Sequence, residues 1–219
     1  MKTFKLHLIR HGLTDANFKG IYAGSGTDLP LSEEGTRQLK QLREDFSYPQ
    51  VPLVFVSPLL RARQTADLLF PGVRQIGIED LREINLGAFE GKTAAELQND
   101  PDYLAWMDPQ KRRTPPGGEA GDAFARRAGE VLRKLCEYLI RSGTPEAAVI
   151  THGGLIMTAL AIHGVPRSDP QRWACDPGCG FTVQTTAASF MRDASVEAMA
   201  IVPAGYEDCC EDPQEENDE

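Results

Sequence analysis

The sequence predicts an α/β fold in one domain, because short apolar runs alternate with longer segments of helical periodicity along 219 residues, without an internal repeat or a long linker. Two of the runs read as strands that end where polar, chemically capable side chains begin. The first, 4–9 (FKLHLI), leads into Arg10-His11-Gly12, and a later one, 147–151 (AAVIT), leads into His152-Gly153-Gly154.

In chain order, the first strand is followed by a helix from Ser32, a side chain suited to an N-cap. Glu33 and Glu34 fall in its first turn, and Leu39, Leu42 and Phe46 recur at helical spacing. The run 51–56 (VPLVFV) is β-branched and aromatic and reads as a buried strand bounded by Ser57-Pro58, with a helix starting near Leu59. A short helix is expected over 93–98. The prolines and glycines of PDYLAWMDPQKRRTPPGGE then mark an irregular insertion, about 97–118, of the kind that sits over a ligand crevice. Phe124, Ala128, Val131, Leu132, Leu135, Tyr138 and Leu139 line one face of a long amphipathic helix. After the strand at 147–151 comes an apolar helix over 155–163, and 181–186 and 196–202 read as strands toward a sheet edge. The domain is expected to span 1–205, with 206–219 an acidic, disordered tail (EDCCEDPQEENDE from Glu207 on).

Composition narrows the function classes. A net charge of −9 argues against nucleic acid or an anionic membrane as partner, since either demands a basic face. No stretch approaches the ~18 apolar residues of a membrane span, and MKTFKLHLIRHG lacks the pattern of a signal peptide, so a soluble, cytoplasmic protein is expected. Five scattered cysteines do not form a secreted disulfide framework. Cys175, Cys179 and the Cys209/Cys210 pair match no common zinc module, so neither metal nor cofactor is expected.

Arg10-His11, Arg61 and His152 each fall just after a strand. In open α/β sheets the carboxyl ends of the strands border one crevice, so these side chains can converge although they are far apart in sequence. Two guanidinium forks with two imidazoles suit a tetrahedral oxyanion, and phosphate fits. Gly12 and Gly153-Gly154 add turns where backbone N–H groups and a helix N-terminus can approach an anion. Each feature alone is ordinary: a lone strand-end histidine is commonly structural, the reading kept for His7 and His163. The combination points to phosphate.

Several blocks resemble the histidine phosphatase superfamily, in its phosphoglycerate mutase-like branch. LIRHGLTDAN, TDLPLSEEG, SPLLRARQTA, LREINLGAFEG, PPGGEAGDAFARR and VITHGG occur in family order over about residues 4–200. The resemblance implies a three-layer sandwich with a mostly parallel central sheet and helices on both faces. It also implies His11 as nucleophile, Arg10, Arg61 and His152 as the phosphate pocket, Glu83 as proton donor, and Thr14, Asn17 and Gly153 beside the bound phosphate. Elementary chemistry agrees: neutral imidazole attacks phosphorus without a strong base, surrounding cations stabilise the equatorial oxygens, and a carboxylic acid protonates the leaving alkoxide. Taken alone, Glu83 reads as a surface carboxylate paired with Arg82, with Glu79, Asp80, Glu90 and Glu96 as competing acids.

The acid-bearing block resembles the phosphatase members and lacks the Glu-Arg-His-Tyr pattern of the mutases. GIYAGSGTDLPLS is similar to the matching stretch of α-ribazole phosphatases. The expected function is therefore metal-independent hydrolysis of a small-molecule phosphomonoester, with α-ribazole 5′-phosphate the substrate suggested by that stretch. The alternatives are a broad-specificity sugar-phosphate phosphatase, a cofactor-dependent phosphoglycerate mutase and a non-catalytic phospho-ligand binder. Tyr103, Trp106 and Met107 read as an apolar lid or core contact before a ring-stacking platform, and a homodimer stays open.

Overall fold

The computed structural model describes residues 2–206 except 109 and 112. In chain order the elements are β1 (Thr3–Arg10), α1 (Asp15–Lys19), α2 (Glu33–Asp45), β2 (Leu53–Val56), α3 (Leu60–Leu69), β3 (Arg74–Gly77), α4 (Ala94–Leu97) and α5 (Pro101–Met107). There follow α6 (Gly121–Ser142), β4 (Glu146–Thr151), α7 (Gly153–His163), β5 (Gly164–Val165), β6 (Gly180–Thr186), α8 (Ala187–Asp193) and β7 (Val196–Val202). The strands form one seven-stranded sheet in the order β3-β2-β4-β1-β6-β7-β5. The pairings β3-β2, β2-β4, β4-β1 and β7-β5 are parallel, while β6 runs antiparallel to β1 and β7. The two strands expected toward a sheet edge, β6 and β7, lie on that side of β1, but neither is the edge itself: β6 is paired with β1 over Thr3–Ile9 and with β7, and the two-residue β5 covers β7.

Period-two alternation along the buried strands builds a core on each face. On one face Phe4, Leu6, Leu8, Phe55 and Val149 meet Phe124, Leu132, Leu135 and Leu139 of α6 and Leu155, Ile156 and Leu160 of α7. On the other, Ile9, Val54, Val56 and Ile150 meet Leu39 of α2 and Ala62, Ala66 and Leu69 of α3. This is the three-layer arrangement. Ser32 caps α2 by accepting from the Gly35 N–H at 2.9 Å, satisfying one of the N–H groups a helix start leaves open. Gly143 ends α6 in the left-handed conformation, φ 71°, that glycine adopts without strain.

The segment read as irregular contains α5. Asp100 caps it by accepting from the N–H groups of Asp102 and Tyr103, and Pro101 occupies the first turn. Tyr103 and Trp106 turn inward to a satellite core with Leu86, Phe89 and Leu97, and the hydroxyls of Tyr103 and Tyr22 lie 2.8 Å apart. Met107 stays exposed. Tyr206 packs edge-on against Phe46 and donates to Asp176. The rest of the acidic tail, 207–219, including Cys209 and Cys210, lies outside the described residues.

Candidate active site

β1 and β4 are parallel neighbours in register, with Arg10 opposite Thr151, so His11 and His152 leave the sheet side by side. Their ring centroids are 5.0 Å apart. Ser57, just beyond β2, sits in the same row, and α3 begins three residues later, which carries Arg61 into the crevice from its first turn. The parallel strand ends thus gather from distant segments what no local structure holds together.

His11 is buried, and its Nδ1 lies 2.7 Å from the Gly12 carbonyl, an acceptor only, so Nδ1 carries the proton. Nε2 is left as the lone pair. Arg61 donates to it from Nε at 3.3 Å, while its Nη1 and Nη2 donate to the carbonyls of Thr27 and Gly24 at 2.9 and 3.1 Å. Burial, then the Arg61 charge, then that of Arg10 push the His11 pKa down to about 3, against the opposing pull of the Gly12 carbonyl. The ring is a neutral base with an unprotonated Nε2 at any ordinary pH.

His152 is fully buried, with Nε2 2.8 Å from Ser57 Oγ, which itself accepts from the Leu59 N–H at 3.4 Å. With the Ser57 hydroxyl donating to Nε2, Nδ1 carries the proton, the tautomer that suits a site for an anion. That Nδ1 is buried and has no hydrogen-bond partner, a donor awaiting an acceptor. Burial first, then His11 and Arg61, hold the His152 pKa well below the usual histidine value.

Arg10 donates to the Cys175 carbonyl at 2.8 Å, and its side chain lies beside the first residue of α7, where a β-carbon on Gly153 would be in ordinary contact, 3.4 Å from Arg10 Nε. Glu83 reaches the same crevice from the loop after β3. Its carboxylate accepts from the Ile84 N–H at 2.9 Å and from the Gly154 N–H at 3.0 Å. A β-carbon on Gly154 would stand 2.6 Å from Glu83 Oε1, so any side chain here would displace the Glu83 carboxylate. Burial raises the Glu83 pKa, and the two N–H bonds and the charges of Arg61 and Arg10 offset this only in part.

Glu83 does not pair with Arg82, whose guanidinium reaches Glu79 at 2.8 Å. The competing acids are otherwise engaged: Asp80 meets Lys134, Glu96 caps α4 at Thr93, and Glu90 accepts from the N–H groups of Gly26 and Leu86. Two other expectations need correction. The Gly12 N–H does not face an anion site but donates to Thr65 Oγ1 at 3.0 Å, and Gly12 is small because a β-carbon would stand 2.6 Å from Leu39 Cδ1. The Gly154 N–H is held by Glu83. Thr14 and Asn17 follow in the next turn, where the Thr14 N–H and hydroxyl both donate to Asn17 Oδ1 at 2.9 Å. The Asn17 amide NH2 is then the donor left for a ligand.

Sequence reasoning missed Ser57, which fixes the tautomer of His152, and Glu90, which ties down the loop whose carbonyls hold Arg61. The Ser57 signal was its place at a strand end, four residues before Arg61; Glu90 gave none, because its partners are backbone N–H groups, and that of Gly26 lies 64 residues away in sequence.

A family model for the histidine phosphatase superfamily (branch 1) matches residues 6–191. The chain belongs to that superfamily, whose phosphatases work through a phosphohistidine. It is 29% identical over 180 residues to the adenosylcobalamin/α-ribazole phosphatase of Salmonella typhimurium, covering 80% of this chain and 87% of that one. It is 31% identical to the fructose-2,6-bisphosphatase TIGAR of Xenopus tropicalis, over 66% of this chain and 54% of that protein. The crystal structure of the α-ribazole phosphatase from Shigella flexneri superposes with a TM-score of 0.77 at 27% identity, covering 90% of this chain and 95% of that one.

Proposed function

We propose that this phosphatase removes the 5′-phosphate of α-ribazole 5′-phosphate, with His11 as nucleophile and Glu83 as acid and then base. The observation that carries the reading is the unprotonated Nε2 of a buried, neutral His11 with an Arg61 N–H directed at it, beside the unpartnered His152 Nδ1–H. In the first step Nε2 forms a bond to phosphorus while the ester oxygen departs and takes the proton of Glu83. Arg10, Arg61, His152, Asn17 and the Gly153 N–H receive the equatorial oxygens, and Thr14 orients Asn17. In the second step the ionised Glu83 takes a proton from water, whose oxygen displaces Nε2 from phosphorus and releases inorganic phosphate. Protein cations carry the charge stabilisation that a bound metal ion supplies in other phosphatases.

The choice of substrate is supported by the likeness to the Salmonella and Shigella enzymes at high coverage of both chains. A second reading, hydrolysis of sugar phosphates, is favoured by the 31% identity to the fructose-2,6-bisphosphatase. A turnover screen over α-ribazole 5′-phosphate, sugar phosphates, nucleotides and phosphoserine tests the first reading, which expects the highest kcat/KM on α-ribazole 5′-phosphate. A higher value on a sugar bisphosphate sinks it in favour of the second. Assay of 3-phosphoglycerate with and without bisphosphoglycerate tests the mutase alternative.

The proposal includes a cytoplasmic location and no partner beyond the small phosphomonoester. No helix among the described residues is long and apolar enough to cross a membrane. A homodimer stays open, and light scattering decides it.

A further inference from the structure

Beyond the single 3-10 turn at Glu79–Leu81, the loop that carries Glu83 has no strand or helix to satisfy its backbone, yet the carbonyls of residues 80–85 all have partners. Leu81 O accepts from Thr151 Oγ1 at 2.7 Å, Ile84 O from the Ser25 N–H at 3.0 Å and Asn85 O from the Glu119 N–H at 2.8 Å. The other three, Asp80 O, Arg82 O and Glu83 O, all accept from one guanidinium, that of Arg127 in α6, at 2.9, 2.7 and 3.3 Å. The remaining two donors of Arg127 form a fork to the Glu119 carboxylate, Nε to Oε1 at 3.0 Å and Nη2 to Oε2 at 2.7 Å. All five N–H groups are therefore used, in the planar geometry that only arginine supplies. The pair is largely buried, with side chains 15% and 21% exposed.

We propose that Arg127, held by Glu119, is a positioning residue for the general acid: it fixes the backbone at 80–83 so that the Glu83 carboxyl stands over the leaving oxygen. The inference rests on the reading of Glu83 as proton donor. Glu119 couples the clamp to the turn before α6, since its own N–H holds Asn85 and Ala88 N–H holds Pro116 O. Lysine in place of Arg127 keeps the charge but cannot reach three carbonyls and a carboxylate at once. A displacement of about 1 Å at a catalytic group can cost ~10²-fold. The loss should fall chiefly on proton transfer, because the hydrogen bonds that hold His11, Arg10, Arg61 and His152 come from other elements.

The test compares kcat/KM on an alkyl phosphate, whose leaving group needs a proton, with that on p-nitrophenyl phosphate, whose phenolate leaves without one. Arg127→Met and Arg127→Lys are both expected to lose about 10- to 100-fold on the alkyl ester and less than about threefold on the nitrophenyl ester. In a Glu83→Gln background, Arg127→Met should add almost nothing to the loss on the alkyl ester, because residues acting through one group are not additive. Equal losses on the two esters overturn the proposal. Should Arg127→Met fail to fold by its thermal melt, Glu119→Gln, which removes the charged fork and leaves the arginine, carries the same comparison with the same two outcomes. Glu83→Gln alone separates the two levels. If it loses both esters equally, the acid assignment fails; if it discriminates between them and the Arg127 and Glu119 variants do not, only the clamp fails.

Discussion

The neutrality of His11 sets a cost that can be measured as stability. His11 is 7% exposed and its pKa falls from 6.5 to about 3 on folding. Between those values the unfolded chain binds a proton at His11 that the native protein excludes, so its contribution to stability is lost as pH falls below 6.5. At pH 5 the unfolded state lies 1.5 pH units below its pKa, and ~1.4 kcal/mol per unit makes the penalty about 2 kcal/mol, against near zero at pH 7. The figure barely depends on the native pKa so long as that stays below about 4. His11→Asn cannot take up a proton and keeps an amide able to donate to the Gly12 carbonyl. Urea denaturation of both proteins at pH 7 and pH 5 should show the wild type losing about 2 kcal/mol more than the variant over that interval. The lowered pKa values of His7 and His163 act in both proteins and cancel, while His152 loses the His11 contribution in the variant but keeps the larger one of burial. Parallel losses, within ~0.5 kcal/mol, would mean that His11 is not held neutral and that its Nε2 is not a standing nucleophile.

Other expectations follow from the same geometry. Because Glu83 must enter protonated and burial raises its pKa, kcat/KM on an alkyl phosphate should fall as pH rises through that pKa, and a pH–rate profile of Glu83→Gln should lack this limb. Ser57→Ala removes the hydroxyl that fixes the His152 tautomer. A drop in kcat of about tenfold is expected in steady-state assays, smaller than the ~10²–10³ of deleting a donor outright, and an unchanged kcat contradicts the assigned tautomer. Dialysis against a chelator should leave turnover intact, and activity restored only by an added divalent ion would refute the metal-free mechanism.

Arg10, His11, Arg61 and His152 were legible because each stands at the end of a strand or in the first turn of the helix behind it, and the parallel sheet brings such ends together. Ser32 and the apolar stripe of α6 announced their helices through local chemistry. β3 was not legible: RQIG is short, and only its pairing with β2 makes it a strand. The interior place of β6 was hidden for the same reason, since its partners β1 and β7 are chosen by non-local packing. α5 did carry a signal, Asp100-Pro101 as cap and first turn, which the neighbouring prolines obscured. Arg127 looked like one basic residue among several on an amphipathic helix, because the backbone carbonyls it serves lie more than forty residues away.

The central claim is that phosphate passes through the Nε2 of His11. Denaturing quench of the enzyme during turnover of a labelled phosphomonoester reads this directly. A protein-bound phosphoryl group that is labile in acid, stable in base and absent from His11→Ala is the predicted result. Steady turnover by the wild type with no such adduct at any quench time, or an adduct that persists in His11→Ala, would contradict it.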